Sequence, residues 1–168
     1  MLVEEAAFID GLTGLHNHRY FQKRFDQDLS RTERYEKPLA LILLDIDNFK
    51  EINDSYGHLQ GDRVLKDIAK IMMWERRGSD LFARYGGEEF AAILPETDVK
   101  GALLFAERLR EAVEEHLFPT EGLPLKVTIS LGVASFPERR EKVDIIKAAD
   151  DALYLSKKEG KNRVSYID

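Results

Sequence analysis

The chain of 168 residues contains no cysteine. This absence excludes a disulfide framework and thiolate chemistry, and it fits a reducing cytoplasm. No apolar run approaches the roughly 18 residues that a membrane span needs, and the acidic N-terminus "MLVEEAAFID" does not have the form of a signal peptide. We therefore expect a cytoplasmic domain without a membrane segment.

Positive charge is also in short supply. Lysine and arginine number 25 against 31 aspartates and glutamates, which gives a formal net charge of −6. This balance argues against a nucleic-acid polymer as the main partner. A small anionic partner would need a bound cation or a local cluster of lysines. The composition, 43% hydrophobic and 33% charged, is typical of one soluble globular domain.

Apolar spacing predicts a regular series of helices and strands. Predicted helices cover 17–36 with Asn17 as N-cap, 61–74, 98–116 and 142–160, the last closed by Gly160 as C-cap. Predicted strands cover Leu39–Ile46, Leu81–Arg84, Phe90–Leu94, Leu125–Ser135 and Arg163–Ile167. The alternation in "LKVTISLGVAS" indicates a half-buried strand, whereas the continuous run "LALILLDI" indicates a buried central one.

The order of these elements from Leu39 to Val133 is β-α-β-β-α-β. That order predicts an α+β fold of the ferredoxin-like, split βαβ type, an antiparallel-centred sheet with flanking helices. In it the third strand lies between the first and the second and is antiparallel to both. The acids that end the first strand would then meet Glu88 and Glu89 at the start of the third.

Carboxylates beside the turn Gly86-Gly87 suit Mg²⁺, a hard cation that takes oxygen ligands and shares them with substrate phosphates. Glycines let the backbone approach a bulky ligand closely. Neighbouring strand residues point to opposite faces, so Glu88 and Glu89 are expected to differ in role. A charged hairpin tip without a ligand is the alternative that these residues alone leave open.

Polar groups follow the first strand on the way into the next helix: Asn53, His58 and Asp62. A carboxylate accepts from the N1–H and N2–H₂ donors of guanine, and adenine offers no such pair. Taken one at a time these residues have ordinary explanations. Asn53 would be a turn residue, His58 a surface or capping histidine, and Asp62 an acid at a helix start.

Four motifs carry a family resemblance. "DGLTGLHNHRYF", "DIDNFKEINDSYGHLQGD", "RYGGEEF" and "ALYLSKKEGKNRV" occur in this order and spacing between about Asp10 and Val164. Together they closely resemble the GGDEF family of diguanylate cyclases. The resemblance implies an enzyme that condenses two GTP molecules into cyclic di-GMP and two pyrophosphates. It divides the chain into residues 1–9, the stub of an upstream linker, and a catalytic domain over 10–168.

The resemblance also implies site residues. Asp45, the carbonyl of Ile46, Glu88 and Glu89 would hold Mg²⁺ or Mn²⁺. Glu88 would help to take the proton from the attacking ribose 3′-hydroxyl, and the family's catalytic set would further include Glu89 and Lys50. The residues implied for GTP are Asn53 and Asp62 on the guanine, His58 along the ribose and base, Phe49 and Lys50 in a triphosphate-binding loop, and the phosphate-facing cations Lys157 and Lys161.

Regulation and assembly are implied in the same way. Arg77 and Asp80 have the Arg-x-x-Asp spacing of the family's product-inhibition site, with Arg108 as a further member of that pocket. An arginine fork can pair with guanine acceptors or phosphate. One chain holds one GTP, so joining two requires a C2 homodimer with facing sites. Because little chain precedes the first motif, we expect a catalytic fragment or weak dimer.

Two other functions stay open at this stage. The domain could be an inactive receptor that binds cyclic di-GMP through Arg77 and Asp80, or a cyclase with another cyclic nucleotide product. Departures from the family pattern are small: His18 stands where arginine is frequent, Ser156 where alanine is frequent, and Lys161 where arginine is common. Lysine keeps the charge of arginine but loses its bidentate fork.

Overall fold

The computed structural model describes residues 7–168. Most of the expected N-terminal linker, residues 1–6, lies outside the described residues. The helices are α1 (His18–Tyr35), α2 (Phe49–Tyr56), α3 (His58–Glu75), α4 (Val99–Glu115) and α5 (Lys142–Lys158). The strands are β1 (Leu39–Ile46), β2 (Leu81–Arg84), β3 (Glu89–Pro95), β4 (Ile129–Phe136) and β5 (Val164–Tyr166).

The strands form a single five-stranded sheet in the order β2-β3-β1-β4-β5. Strand β3 pairs antiparallel with both β1 and β2, and β4 pairs antiparallel with β1. The predicted α+β, split βαβ arrangement is therefore confirmed. The short strand β5 extends the sheet by pairing parallel with β4.

Side chains of β1 alternate between two hydrophobic cores, one on each face of the sheet. Leu39, Leu41 and Leu43 pack with α1 and α5, whereas Ile42, Leu44 and Ile46 pack with α3 and α4. Both sets are buried because helices cover both faces of the sheet. Asp45 is the one residue of β1 that is only partly buried.

The residues after β1 differ from the sequence-based expectation. Phe49 and Lys50 were expected in a loop, and Asn53 in the link to the next helix. Instead they lie in α2, an eight-residue helix that begins at Phe49 after Asn48 in the left-handed region (φ 57°). Such a short helix is marginal by itself. Its buried Ile52 packs into the core of the α3 and α4 face and stabilises it there.

Two further boundaries are corrected. The strand expected over Leu125–Ser135 starts only at Ile129, and β4 is buried on both faces rather than half-buried. The reason is its place between β1 and β5, with helices on either side. Helix α5 ends at Lys158 with Glu159 as its C-cap residue, so Gly160 (φ 127°) lies one position beyond the cap.

Helix α5 lies unusually close to β4, and Gly132 makes this possible. A Cβ atom added at Gly132 would lie 2.2 Å from the carbonyl oxygen of Ala149 and 2.3 Å from the amide nitrogen of Leu153. Only a residue without a side chain fits that space. Across residues 7–168, no helix is both long and apolar enough to cross a membrane.

Candidate active site

The acids of β1 and β3 meet at one edge of the sheet, as predicted. Asp45 lies directly opposite Glu89 in the antiparallel register, so the two side chains share one face. The amide of Ile46 donates to the carbonyl of Glu88 at 3.2 Å, which fixes the start of the hairpin against the end of β1. The pairing thus brings Asp45 beside Glu88 and Glu89, which directly follow the turn Gly86-Gly87.

Burial and mutual repulsion act on these carboxylates. Burial, and next the charge of Asp45, raise the pKa of Glu88 and of Glu89 above the usual glutamate value. Burial also raises the pKa of Asp45, against the opposing attraction of Lys157. Because burial and repulsion disfavour the charged form of these acids, a cation bound among them would stabilise that form.

Lys157, on the last turn of α5, brings positive charge to this edge. Its ammonium group donates to Asp45 Oδ1 at 3.1 Å, to the carbonyl of Ile46 at 3.3 Å and to Asp47 Oδ1 at 2.9 Å. The side chain is about three-quarters buried, with 25% of its surface exposed. The lysine expected to face phosphate therefore reaches two of the expected metal-binding groups, Asp45 and the carbonyl of Ile46.

Asp47 is a residue of this site that sequence reasoning left without a role. Its side chain is only 1% exposed. Oδ1 accepts from Lys157 and from Ser130 Oγ at 2.7 Å, and Oδ2 accepts from Thr128 Oγ1 at 2.8 Å and from the amide of Asn162 at 3.0 Å. Burial pushes the pKa of Asp47 upwards, but the hydrogen bonds and the charge of Lys157 prevail and lower it.

The loop after α5 carries the second expected phosphate cation. Lys161 Nζ donates to Asn48 Oδ1, which places the lysine beside the N-terminal end of α2. The next residue, Asn162, accepts from Arg110 Nη1 at 3.0 Å and donates through its side-chain amide to Glu114. Lys161 and the first residues of α2, Phe49 and Lys50, thus come together next to the acidic edge.

The expected guanine contacts lie on α2 and α3. Asn53 Oδ1 is buried and has no hydrogen-bond partner within the described residues. It sits over Gly61, where an added Cβ would lie 1.9 Å from this oxygen and 3.2 Å from Phe49 Cζ. Asp62 follows Gly61 and is partly exposed, and His58 begins α3 on the exposed side. An orphaned acceptor beside a partly exposed carboxylate suits a ligand that offers N–H donors.

The segment Arg77–Asp80 forms a tight turn. The amide of Arg77 donates to Asp80 Oδ2 at 3.1 Å, and Arg77 Nε lies 3.5 Å from the same oxygen. Asp80 is buried, whereas the Arg77 side chain is 46% exposed. Burial raises the pKa of Asp80 in spite of this pairing.

Arg108 and Arg77 both lie near the ring of Phe105. The guanidinium carbon of Arg77 lies 4.8 Å from the centroid of the Phe105 ring, and that of Arg108 lies 5.4 Å from it. Arg24 and Arg76, which the sequence did not single out, hold the turn from behind. They donate to the carbonyls of Ser79 and Asp80 at 2.8 and 3.0 Å.

The hairpin is also held from the N-terminal motif. Asp10 accepts hydrogen bonds from Thr13 and from Arg84 Nη1, and Arg84 Nη2 donates to the carbonyl of Gly87 at 2.8 Å. His18 Nδ1 lies 3.0 Å from the carbonyl of Tyr85. The position of the glycine turn is thus fixed by residues some seventy positions earlier in the chain.

The donor set fits a divalent metal. Within residues 7–168 no preformed group of three or more metal-binding side chains was found. Asp45 and Glu88 with the carbonyl of Ile46 nevertheless supply hard oxygen donors, and burial raises the pKa of both acids against the opposing charge of Lys157. Mg²⁺ commonly binds with few protein ligands and completes its shell with water and phosphate.

These features define an α+β domain with an acidic, lysine-lined edge at the end of its central strand. The model of the family "Diguanylate cyclase, GGDEF domain" matches residues 7–163, nearly the whole chain. The chain belongs to this family.

Relatives and solved structures agree with the family assignment. The chain is 41% identical over 160 residues to diguanylate cyclase DgcP of Pseudomonas aeruginosa, covering 95% of this chain and 24% of that protein. It is 46% identical over 131 residues to diguanylate cyclase A of Treponema denticola, covering 77% and 35%. The GGDEF domain of DgcB from Caulobacter crescentus, solved in complex with c-di-GMP, superposes with a TM-score of 0.90 at 34% identity. That superposition covers 95% of this chain and 92% of the other. The chain spans less than half the length of these two curated relatives.

Proposed function

We propose that this chain is the catalytic domain of a diguanylate cyclase, which condenses two GTP molecules into cyclic di-GMP and releases two pyrophosphates. The observation that carries the proposal is the convergence of Asp45, Glu88 and Glu89 with Lys157 at one edge of the sheet. The guanine-facing residues Asn53 and Asp62 lie on the adjoining helices. The identity to diguanylate cyclases supports the same activity.

Each group has a role in binding GTP. Asn53 Oδ1 and the carboxylate of Asp62 accept hydrogen bonds from guanine, and His58 borders the ribose and base. The amides at the start of α2, at Phe49 and Lys50, are free of helical partners and face phosphate oxygens. The proposed cations for the triphosphate are Lys50, Lys157 and Lys161.

The reaction follows from this placement. The ribose 3′-oxygen of one GTP attacks the α-phosphorus of the other, the bond from that phosphorus to the bridging oxygen breaks, and pyrophosphate leaves. Glu88 accepts the hydroxyl proton, and Glu89 adds negative charge to the metal region. Asp45, the Ile46 carbonyl and Glu88 would hold Mg²⁺ or Mn²⁺, which supplies charge neutralisation of the phosphates.

Two such half-sites are needed for the cyclic product, because each chain binds one GTP. We therefore propose a C2 homodimer as the active form, in the cytoplasm where GTP is available. Specific activity should rise with the concentration of the chain. An activity per chain that is constant on dilution would contradict the dimer proposal.

The activity is tested directly by product analysis. The chain is incubated with Mg²⁺ and GTP, with and without ATP, and the products are identified by mass spectrometry. We expect cyclic di-GMP from the parent chain and a loss of at least about 100-fold in rate for Glu88→Gln, since a positioned base contributes about that much. Absence of cyclic di-GMP at high protein concentration would overturn the proposal in favour of a receptor.

The pairing of Arg77 with Asp80 and the nearness of Arg108 support a second, inhibitory site for the product. Arg77 is exposed enough to turn its fork to a guanine or phosphate, while Asp80 stays fixed by the amide of Arg77. We expect Arg77→Ala to weaken feedback inhibition by cyclic di-GMP while initial turnover persists. Inhibition equal to that of the parent chain would refute the assignment. Arg34→Ala, at an exposed position of α1, serves as the charge-matched control.

A further inference from the structure

We infer that Asp47 is a positioning residue, which holds Lys157 and the loop bearing Lys161 against the triphosphate of the nucleotide. The inference rests on the proposed function. It adds to that function the residue that positions the two phosphate-facing lysines, Lys157 and Lys161. Asp47 is connected to Asp45 of the acidic edge through Lys157, which donates to both carboxylates.

The hydrogen bonds of Asp47 show why it differs from Asp45. Both oxygens of Asp47 are engaged, by donors from β4, from α5 and from the loop after α5. The Asp47 side chain is only 1% exposed, whereas the Asp45 side chain is 18% exposed. Asp47 is therefore a fixed anion committed to the protein, and Asp45 is the carboxylate with capacity for an incoming cation.

Lys157 bridges the two carboxylates. One contact, at 2.9 Å, goes to the fixed Asp47, and the other, at 3.1 Å, goes to Asp45. A lysine side chain is long, and without an anchor it would keep its rotamer freedom until phosphate binding ordered it. Pairing with Asp47 holds the ammonium at the site edge in advance, so that binding of phosphate does not have to order it.

The loop after α5 is held through the same carboxylate. Lys161 and Asn162 have φ values of 65° and 48°, a left-handed backbone that costs free energy for residues with side chains. The amide of Asn162 on Asp47 offsets this cost, and Arg110 and Glu114 hold the Asn162 side chain from α4. Asp47 thus links the positions of both phosphate-facing lysines.

The test separates binding of phosphate from binding of base. Affinities for guanosine and for the unreactive analogue guanosine 5′-(α,β-methylene)triphosphate are measured with Mg²⁺ for the parent chain and for Asp47→Asn. We expect the analogue affinity to fall about tenfold and the guanosine affinity to change less than about twofold. Asp54→Asn, the same change at an exposed position of α2, should leave both affinities unaltered.

A double-mutant cycle measures the coupling between Asp47 and Lys157 in binding of the analogue. A purely structural role of Asp47 would give no such coupling. If Asp47 acts through the lysines, Asp47→Asn added to Lys157→Met should weaken analogue binding much less than it does in the parent chain. Equal effects in both backgrounds, or parallel losses for guanosine and analogue, would overturn the inference. If Asp47→Asn does not fold, Thr128→Val removes one donor to Asp47 and takes its place in the same cycle.

The outcome for the parent chain distinguishes this inference from the proposed function. Failure of the parent chain to bind the analogue more tightly than guanosine would overturn both. Tight analogue binding by the parent chain with an unchanged affinity in the Asp47→Asn and Thr128→Val variants would overturn only the role of Asp47.

Discussion

Asp47 and Asp80 are two buried aspartates in different regions of the molecule, and their pKa values shift in opposite directions. Burial raises the pKa in both regions. At Asp47 the full set of donors and the ammonium of Lys157 overcome burial, whereas at Asp80 the amide of Arg77 and a half-exposed guanidinium do not. Burial alone therefore does not determine whether the pKa of a buried acid is raised or lowered. The number and charge of its hydrogen-bond donors decide the direction.

The comparison separates a rigid region from an adaptable one. Both carboxylate oxygens of Asp47 accept hydrogen bonds within the protein, which suits a scaffold for catalytic cations. Around Asp80 the partner Arg77 retains exposed surface, which suits a site that takes up and releases a ligand. Substitutions at Asp47 and Asp80 test this difference, and a substitution at Glu89 tests the repulsion at the acidic edge beside Asp47.

Replacement of each aspartate by alanine should break the comparison most clearly. Asp47→Ala removes one of the acceptors of Lys157 and leaves two hydroxyls and an amide without this acceptor. We expect a loss of about 3 kcal/mol in the free energy of unfolding. Asp80→Ala leaves mainly the amide of Arg77, and we expect a loss of about 1 kcal/mol. Urea unfolding of both variants measures the difference. Equal losses in the free energy of unfolding would contradict the difference described between the two regions.

Glu89→Gln should stabilise the chain in the absence of added metal. Glu89 lies directly opposite Asp45, and like charges in that register are unfavourable by up to about 1 kcal/mol. The melting temperature should rise by about 2 to 4 °C for a domain of this size. Thermal unfolding in a chelating buffer, with Glu121→Gln in an exposed loop as control, measures the change. A destabilised Glu89→Gln variant would contradict the repulsion described for this edge.

The smallest effect concerns the pH dependence at Asp80. Because the folded-state pKa of Asp80 is raised, the folded chain disfavours its charge. The parent chain therefore loses stability relative to Asp80→Asn as pH rises from below the ordinary aspartate value through the raised pKa. The difference should stay constant at higher pH. Urea unfolding at acidic and neutral pH measures it, and a difference that moves the other way would overturn the stated pKa direction.

The sequence predicted much of the fold because the local signals agree with the packing. The continuous run Leu39–Ile46, the Gly86-Gly87 turn and the Asn17 cap each specify their element, and the strand order follows from connection rules. Helix α2 was missed because "FKEINDSY" is short and polar, and only the tertiary packing of Ile52 makes it helical.

The acidic edge was likewise predictable, since Asp45 and Glu89 meet through strand register alone. The role of Asp47 was not, because its partners Thr128, Ser130 and Asn162 lie 81 to 115 positions away and carry no local pattern. Gly61 could have indicated the close packing of α2 on α3. A glycine inside a helical segment often has a packing reason, and here the side chain of Asn53 occupies the space that a Cβ of residue 61 would need.

Gly132 has a consequence for the site that its own location does not suggest. It lies within the sheet and contributes no atom to the acidic edge, yet it sets how near α5 can stand to β4. Lys157 is one helical turn beyond Leu153, the contact point of that approach. The missing side chain of Gly132 therefore sets the spacing between β4 and α5. That spacing in turn sets how far the ammonium of Lys157 lies from the carboxylates of the acidic edge.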